Sequence, residues 1–386
     1  MRGNLIVGVG FLALFSACSG QHEEIHTGKL GELIVGTYSF ERDVTTSYFS
    51  SFRSWNYDGR DLVVYETNSP ERNSGVRVSV VDLETHDVLA RWDIPREGPE
   101  SMKSFPDLRM PLSLDTLFAA SASGRVANYD TLGNKIRDIE SNARFPTTKE
   151  AYVRFFPING LMFRKEKEVF VGLNPYNIYQ EAAPSDYAAW MVRLNMETGL
   201  HDQAYFRMPS DYARFSADLA AFQTYGGLDR LRGEFWFGFP YSDTLVMLRG
   251  LKEIKRLAPK TNHRFTYLPS ELRDYGSFKV WLQPKEASSH LGLLYDEFRD
   301  LFLMLTKLGE TGDGDNTFDR TKHYLIRIFD GDWTLKGEYT VDYPGREELK
   351  DWFVTRNGLF VNAAFQDLED EYRFDQVDLS TFLPPR

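Results

Sequence analysis

The chain of 386 residues holds a single cysteine. A lone thiol excludes an intrachain disulfide and a cysteine-ligated metal site. Histidine is sparse as well: His22, His26, His86, His201, His263, His290 and His323 are scattered, and none is paired at metal-ligand spacing. Lysine and arginine total 45 against 56 acidic residues, a formal net charge of -11. So acidic a protein is a poor partner for nucleic acid and does not adhere electrostatically to anionic lipid headgroups. A Gly-x-Ser-x-Gly elbow, a phosphate loop, a His-Glu-x-x-His pair and a dinucleotide fingerprint are all missing, so no catalytic residue is assigned from a motif and no cofactor is expected.

The N-terminus is distinctive. Arg2 is a short positive region, 5–15 (LIVGVGFLALF) is an apolar run too short to span a bilayer, and Ser16 and Ala17 are a small-residue pair before Cys18. This predicts a signal peptide over 1–17. The motif Phe15-Ser16-Ala17-Cys18 resembles a bacterial lipobox, with Phe15 where leucine is commoner. The resemblance implies cleavage before Cys18 and a lipid on its thiol. The membrane is then reached through acyl chains, each buried CH₂ contributing about 0.8 kcal/mol. The expected location is the cell envelope, anchored in the outer membrane and facing either the periplasm or the surface. In that oxidising compartment a fold without disulfides rests on its core and its strand pairing. Residues 18–30 read as a lipidated tether, because 19–29 is polar with only Ile25 to bury.

Aromatic residues are plentiful, at 15%. From Glu32 the chain becomes a series of short apolar or alternating runs parted by turn residues, beginning with 32–38 (ELIVGTY). Groups of three follow: 61–66, 76–83 and 88–94; 115–120, 124–129 and 135–139; 168–173, 190–194 and 203–208; 234–239, 244–248 and 253–257; 300–305, 324–329 and 336–341. A pair, 358–363 and 372–379, ends the series. The connections are too short for crossover helices, so the strands form antiparallel meanders. The last group lacks a strand and the start has one to spare. A ring closed non-covalently by the first strand explains both and removes the open edges. Residues 31–386 thus read as one all-β domain, a six-bladed β-propeller closed by an N-terminal strand. Two tandem β-sandwiches would need a central linker, and none is visible. A short helix is predicted over 210–223 (SDYARFSADLAAFQ), between blades 3 and 4, with Tyr212, Phe215, Leu219 and Phe222 on one face. A shorter one is predicted over 346–352 (REELKDW).

This strand count, the signal, the aromatic content and the turn Glu97-Gly98-Pro99-Glu100 resemble six-bladed propellers of the TolB-like kind. Within them, the resemblance is to a domain-of-unknown-function family of bacterial lipoproteins. The segment 313–319 (DGDNTFD) spaces oxygen side chains as cation loops do but lacks their glycine and glutamate, so a solvated hairpin tip is expected and no metal. The links from one blade to the next are long and set arginine beside tyrosine. They supply Arg42 and Tyr48; Arg96, Glu97 and Glu100; Arg144 and Arg154; Tyr212 and Arg214; His263, Arg264 and Tyr267; and Tyr343, Arg346 and Glu347. Arginine offers a planar fork to carboxylates and hydroxyls, and tyrosine a flat apolar face with a polar tip. This set predicts a ligand-binding face for an acidic sugar or a peptide carboxylate, although the same residues could tie blades together through ion pairs. The expected function is a lipid-anchored envelope binding or interaction module for a glycan, a peptide or another envelope protein. The alternatives are an envelope hydrolase or lyase with its site in the propeller funnel, since fold does not fix function, and a structural subunit of an outer-membrane complex.

Overall fold

Strands buried on both faces set the architecture. Along Leu301–Thr311, Leu301, Leu303 and Leu305 pack toward one neighbouring sheet, while Phe302 and Met304 pack toward the other. Such strands read as unbroken apolar runs, which is why they were visible in the sequence. The computed structural model describes residues 25–383 apart from 43–45, 47, 70–74, 103–107, 121–124, 141–150, 154–161, 176–188, 200, 211, 216–217, 219–220, 222, 275, 277–278, 313–318 and 367–369. Cys18, Arg144, Arg154 and residues 313–318 of the acidic loop lie outside the described residues.

Six antiparallel sheets form the blades of a ring, spanning 49–94, 108–140, 151–205, 225–257, 289–344 and 352–377. Within each of these spans the strands follow the chain from the axis outward. The first strands of blades 4 and 5, 5 and 6, and 6 and 1 touch one another around that axis. Six clusters of buried apolar side chains occur among the described residues, one at each junction between consecutive blades. The ring and its count of six are as the sequence predicts.

Each blade has four strands where the sequence reading found three. The addition is the inner strand: Phe49–Tyr57, Leu108–Pro111, Met162–Lys165, Tyr225–Asp229, Ser289–Asp296 and Trp352–Thr355. These strands are short or carry glycine and polar residues, so they lack the apolar run that marks the middle strands. In blade 3 the inner position is shared by Ala151–Val153 and Met162–Lys165, both paired with Glu168–Pro175.

Ring closure is as predicted, and more extensive. Ile34–Glu41 pairs antiparallel with Glu371–Val377 as the outer strand of blade 6. Before it, His26–Lys29, inside the stretch expected as tether, pairs in parallel with Leu335–Pro344 at the edge of blade 5. The N-terminal segment therefore clamps two blades.

Both expected helices are corrected. Among the described residues of 210–223 there are only 3-10 turns, Tyr212–Phe215 and the region of Ala221. The amides of Tyr212, Asp218 and Ala221 bond to the carbonyls of Pro209, Phe215 and Asp218, three residues back in each case. Tertiary contacts hold that tighter path: an Asp218 carboxylate oxygen accepts the Ser270 amide at 2.6 Å. In 346–352 the amides of Lys350 and Asp351 both go to Asn362 Oδ1 at 3.0 Å, leaving no helical ladder, and Trp352 begins the inner strand of blade 6. Tertiary partners here outweigh local helix propensity.

The two faces of the ring differ. One carries the inter-blade links and the turns between second and third strands. The other carries hairpins between first and second strands, such as Asp58-Gly59, where both residues are left-handed (φ 54° and 74°) and give the tight turn that matches strand twist.

Candidate functional site

The most unusual chemistry lies on the link face between blades 4 and 5. Gly238 and Tyr225 are cross-strand partners, and a Cβ on Gly238 would lie 2.2 Å from the Tyr225 ring, so this glycine makes room for the tyrosine at the top of the inner strand. Beside it His290 enters on the inner strand of blade 5, Thr306 on the second and Arg327 on the third. Asp243 comes from the turn between the second and third strands of blade 4, and Tyr267 from the link into blade 5. His290 Nδ1 lies 2.8 Å from Thr306 Oγ1 and 3.4 Å from an Arg327 nitrogen, and Nε2 lies 2.7 Å from Tyr267 Oη. The Tyr267 hydroxyl donates to Asp243 Oδ1 at 2.8 Å, and His290 Nε2 is 3.2 Å from the same oxygen.

One proton arrangement serves all these contacts. Arginine can only donate, so Nδ1 of His290 is the acceptor and Nε2 carries the hydrogen, which it gives to Tyr267 Oη. The chain then runs from Arg327 and Thr306 through His290 and Tyr267 to Asp243. Burial pushes His290 down to about 4, Asp243 opposing and Arg327 reinforcing, so the ring is neutral near pH 7. Burial, then the adjacent Asp243, drive the Tyr267 hydroxyl far up, keeping it a donor. Burial alone would raise the Asp243 carboxyl, but hydrogen bonds from His290 and Tyr267 hold it below its ordinary value. The inner end is buried, while the Asp243 side chain is 44% exposed.

Arg327 is fully buried and makes no ion pair among the described residues. Glu338 stands opposite it in the sheet yet gives its carboxylate to Thr261 Oγ1 (2.6 Å) and the Asn262 amide (3.1 Å), with His263 Nδ1 3.4 Å away. The guanidinium instead lies 4.8 Å from the Phe265 ring centre and 5.8 Å from that of Phe329, where ring quadrupoles offset part of its charge. Chemically, the site holds a rigid carboxylate at the surface, backed by a neutral relay and a buried cation. It can accept hydrogen bonds from a ligand's hydroxyl or amide groups.

A second polar cluster sits on the same face between blades 1 and 2. Buried Glu66 meets Arg109 at 2.6 Å and Arg53 at 3.7 Å, and Arg53 donates to the Arg109 carbonyl at 2.5 Å. Burial pushes the Glu66 carboxyl up, but the two guanidinium groups bring it below its ordinary value. Tyr48, 44% exposed, lies in the field of Arg109 and Glu66.

The link residues singled out in the sequence are spread around the rim. Arg42 follows the closing strand, its amide donating to Asp370 O at 2.6 Å and its guanidinium 5.7 Å from the Phe49 ring centre. Arg96 and Glu97 are exposed beyond the outer strand of blade 1. Glu100 is structural: its carboxylate accepts the Lys135 amide at 2.7 Å and its carbonyl the Tyr129 hydroxyl at 3.1 Å. Tyr212 is fully buried, its hydroxyl donating to Ala221 O and accepting the Tyr241 amide, so it serves the core rather than a ligand face. Arg214 is exposed, 4.5 Å over Phe215, and Arg346 is exposed before blade 6. His263 lies in the link into blade 5, its Nδ1 3.4 Å from a Glu338 carboxylate oxygen. The structure brings Tyr48 to one polar cluster and Tyr267 to the other, and it does not gather the remaining described ones. Asp243, His290, Thr306 and Arg327 were missed by sequence reasoning. One signal existed: Arg327 interrupts the apolar run 324–329 (YLIRIF), and a charge within a strand buried on both faces has to be accommodated.

No family model and no curated protein sequence matches the chain. Among solved structures, BamB from Moraxella catarrhalis aligns with a TM-score of 0.34 at 9% identity, over 90% of this chain and 98% of that one. A protein of unknown function from Bacteroides thetaiotaomicron aligns with a TM-score of 0.43 at 11% identity, over 92% and 75%. A member of the DUF4221 family from Bacteroides vulgatus aligns with a TM-score of 0.66 at 14% identity, over 89% of this chain and 97% of that one. At that identity the likeness is one of fold: the chain is a six-bladed β-propeller resembling this DUF4221 protein over 89% of its length.

Proposed function

We propose that the protein is a lipid-anchored binding module of the cell envelope, held in the outer membrane through Cys18 and recognising a glycan or peptide on the link face of its propeller. The observation that carries the binding reading is the Asp243–Tyr267–His290 chain, which fixes an exposed carboxylate in one orientation from beneath. A pre-oriented acceptor loses little freedom on meeting a ligand. Keeping Arg327 buried without a carboxylate costs stability, a pattern common where function constrains a site. The anchor reading is supported by the 1–17 signal, by Cys18 at its junction and by an acidity that leaves acyl chains as the means of attachment.

Two measurements test this. Cys18→Ala is expected to move the protein out of the detergent phase on membrane partitioning, and equal retention would refute the anchor. A thermal-shift screen of oligosaccharides and short peptides is expected to raise the melting temperature of the parent by mass action, and to lose that shift in Asp243→Asn and Tyr267→Phe. If no ligand in the screen loses its shift in either variant, the site is not on the link face.

A further inference from the structure

The other face of the ring has a concave site of its own, where the hairpin ends of four blades surround the channel mouth. Trp55 comes from the inner strand of blade 1 and Asp61 from its partner strand; Arg230 lies at a blade 4 hairpin, and Tyr295, Glu297 and Phe298 at a blade 5 hairpin, with Val354 of blade 6 completing the wall. Its three rings are braced from outside. Trp55 packs on Tyr57 with centroids 4.6 Å apart, Tyr295 packs on Phe302 at 4.9 Å with its hydroxyl donating to Asp300 at 2.8 Å, and Phe298 lies 5.5 Å from the Arg356 guanidinium.

The charges of this mouth are already matched. Glu297 stands 3.6 Å from Arg230, and Asp61 stands 3.6 Å from Arg356 while accepting its amide at 2.9 Å. An anionic ligand would meet two carboxylates, and a quaternary ammonium would meet two guanidinium groups. Paired this way, the groups still offer lone pairs and N–H bonds to neutral hydroxyls, and aromatic faces take the C–H face of a sugar ring. The lining presents more polar than apolar surface, Ser54 and Asn56 adding to the charged groups, which suits a ligand rich in hydroxyls.

We propose that the channel mouth on the hairpin face binds an uncharged saccharide, with one pyranose ring against Trp55 and its hydroxyls served by Asp61, Arg230 and Glu297. This site is independent of the link-face reading. The test is calorimetric titration of the full chain, in a polyoxyethylene detergent so that no sugar headgroup competes. The probes are uncharged gluco-, galacto- and manno-configured trisaccharides, with trigalacturonate and choline as charged controls. At least one uncharged trisaccharide is expected to bind. Trp55→Ala is expected to weaken it about tenfold and Trp55→Phe much less. Should Trp55→Ala fail to fold, Glu297→Gln and Asp61→Asn take its place, each expected to weaken binding several-fold. The inference is overturned if no uncharged trisaccharide binds, if only the charged probes bind, or if a folded Trp55→Ala binds as the parent does. A sugar lost in Asp243→Asn but kept in Trp55→Ala would overturn this site while supporting the link-face reading.

Discussion

The junction between blades 6 and 1 and the junction between blades 4 and 5 pack the same kind of sheets with opposite chemistry. At the first, eight of eleven clustered side chains are aromatic, and Phe52 alone has its ring within 5.1 to 5.6 Å of Phe40, Tyr65 and Tyr372 and 4.7 Å from Phe374. At the second, His290, Thr306 and Arg327 lie buried beside an apolar cluster. Blade 6 is completed only by hydrogen bonds to Ile34–Glu41, which leads into blade 1. A seam that closes the ring without a link from the chain's end needs interlocking rings, which add specific geometry to their burial. Blades 4 and 5 are joined by the chain itself, and the link between them is strapped down by Tyr267 and by Thr261 and Asn262 on Glu338. That junction can hold a buried charge.

The most severe way to break the comparison is to remove the closing strand. Deleting 34–41 takes Phe40 out of the aromatic seam and leaves Glu371–Val377 with an open edge. The expected result in scanning calorimetry is loss of the single cooperative transition, and a truncated chain that melts like the full one would refute closure by this strand.

Next come single substitutions at each seam. Phe52→Ala should cost about 3–5 kcal/mol in urea unfolding, the usual price of a buried phenylalanine. Arg327→Ala should cost a similar amount through its cavity and the orphaned His290, whereas Arg327→Met, which replaces an unpaired charge by an apolar chain of similar reach, should be neutral or stabilising. If Arg327→Met is as damaging as Phe52→Ala, the two seams rely on their side chains alike.

The pH dependence sharpens the contrast, because each seam holds a titrating group of opposite sign. His290 falls to about 4 when folded, below its ordinary value near 6.5, so its stability is present above that value and is lost as pH falls toward 4. Asp351, whose carboxylate accepts the Tyr372 hydroxyl at 2.7 Å, is raised by burial to about 6, so its stability is present below about 4 and is lost as pH rises through 6. Each contributes about 3 kcal/mol over its window, and the slopes oppose one another. His290→Gln should therefore make stability fall from pH 4 to 6, and Asp351→Asn should make it rise. Unchanged slopes in both variants would show that neither group is held as described.

Smallest is Tyr372→Phe. Its hydroxyl bond is the main influence holding the Asp351 carboxyl down, so its loss should cost about 1 kcal/mol and move the midpoint of the Asp351-linked transition above about 6. An unmoved midpoint would detach Asp351 from the aromatic seam.

The sequence alone determined the ring. Strands such as Glu234–Gly238 and Leu301–Thr311 are apolar on both faces because a blade is covered on both sides, and that repeats legibly along the chain. The surplus strand at the start and the missing strand at the end determined the closure. The inner strands escaped, since YGGLD or MFRK carries no apolar run, and the stretch 210–223 looked helical until Tyr212 and Asp218 found partners on other segments. Only the tertiary structure decided the candidate sites. Asp243, Tyr267, His290, Thr306 and Arg327 span two blades and a link, and the channel mouth draws on four blades. Local pattern reports which faces a strand buries, but which polar groups meet depends on how the ring closes.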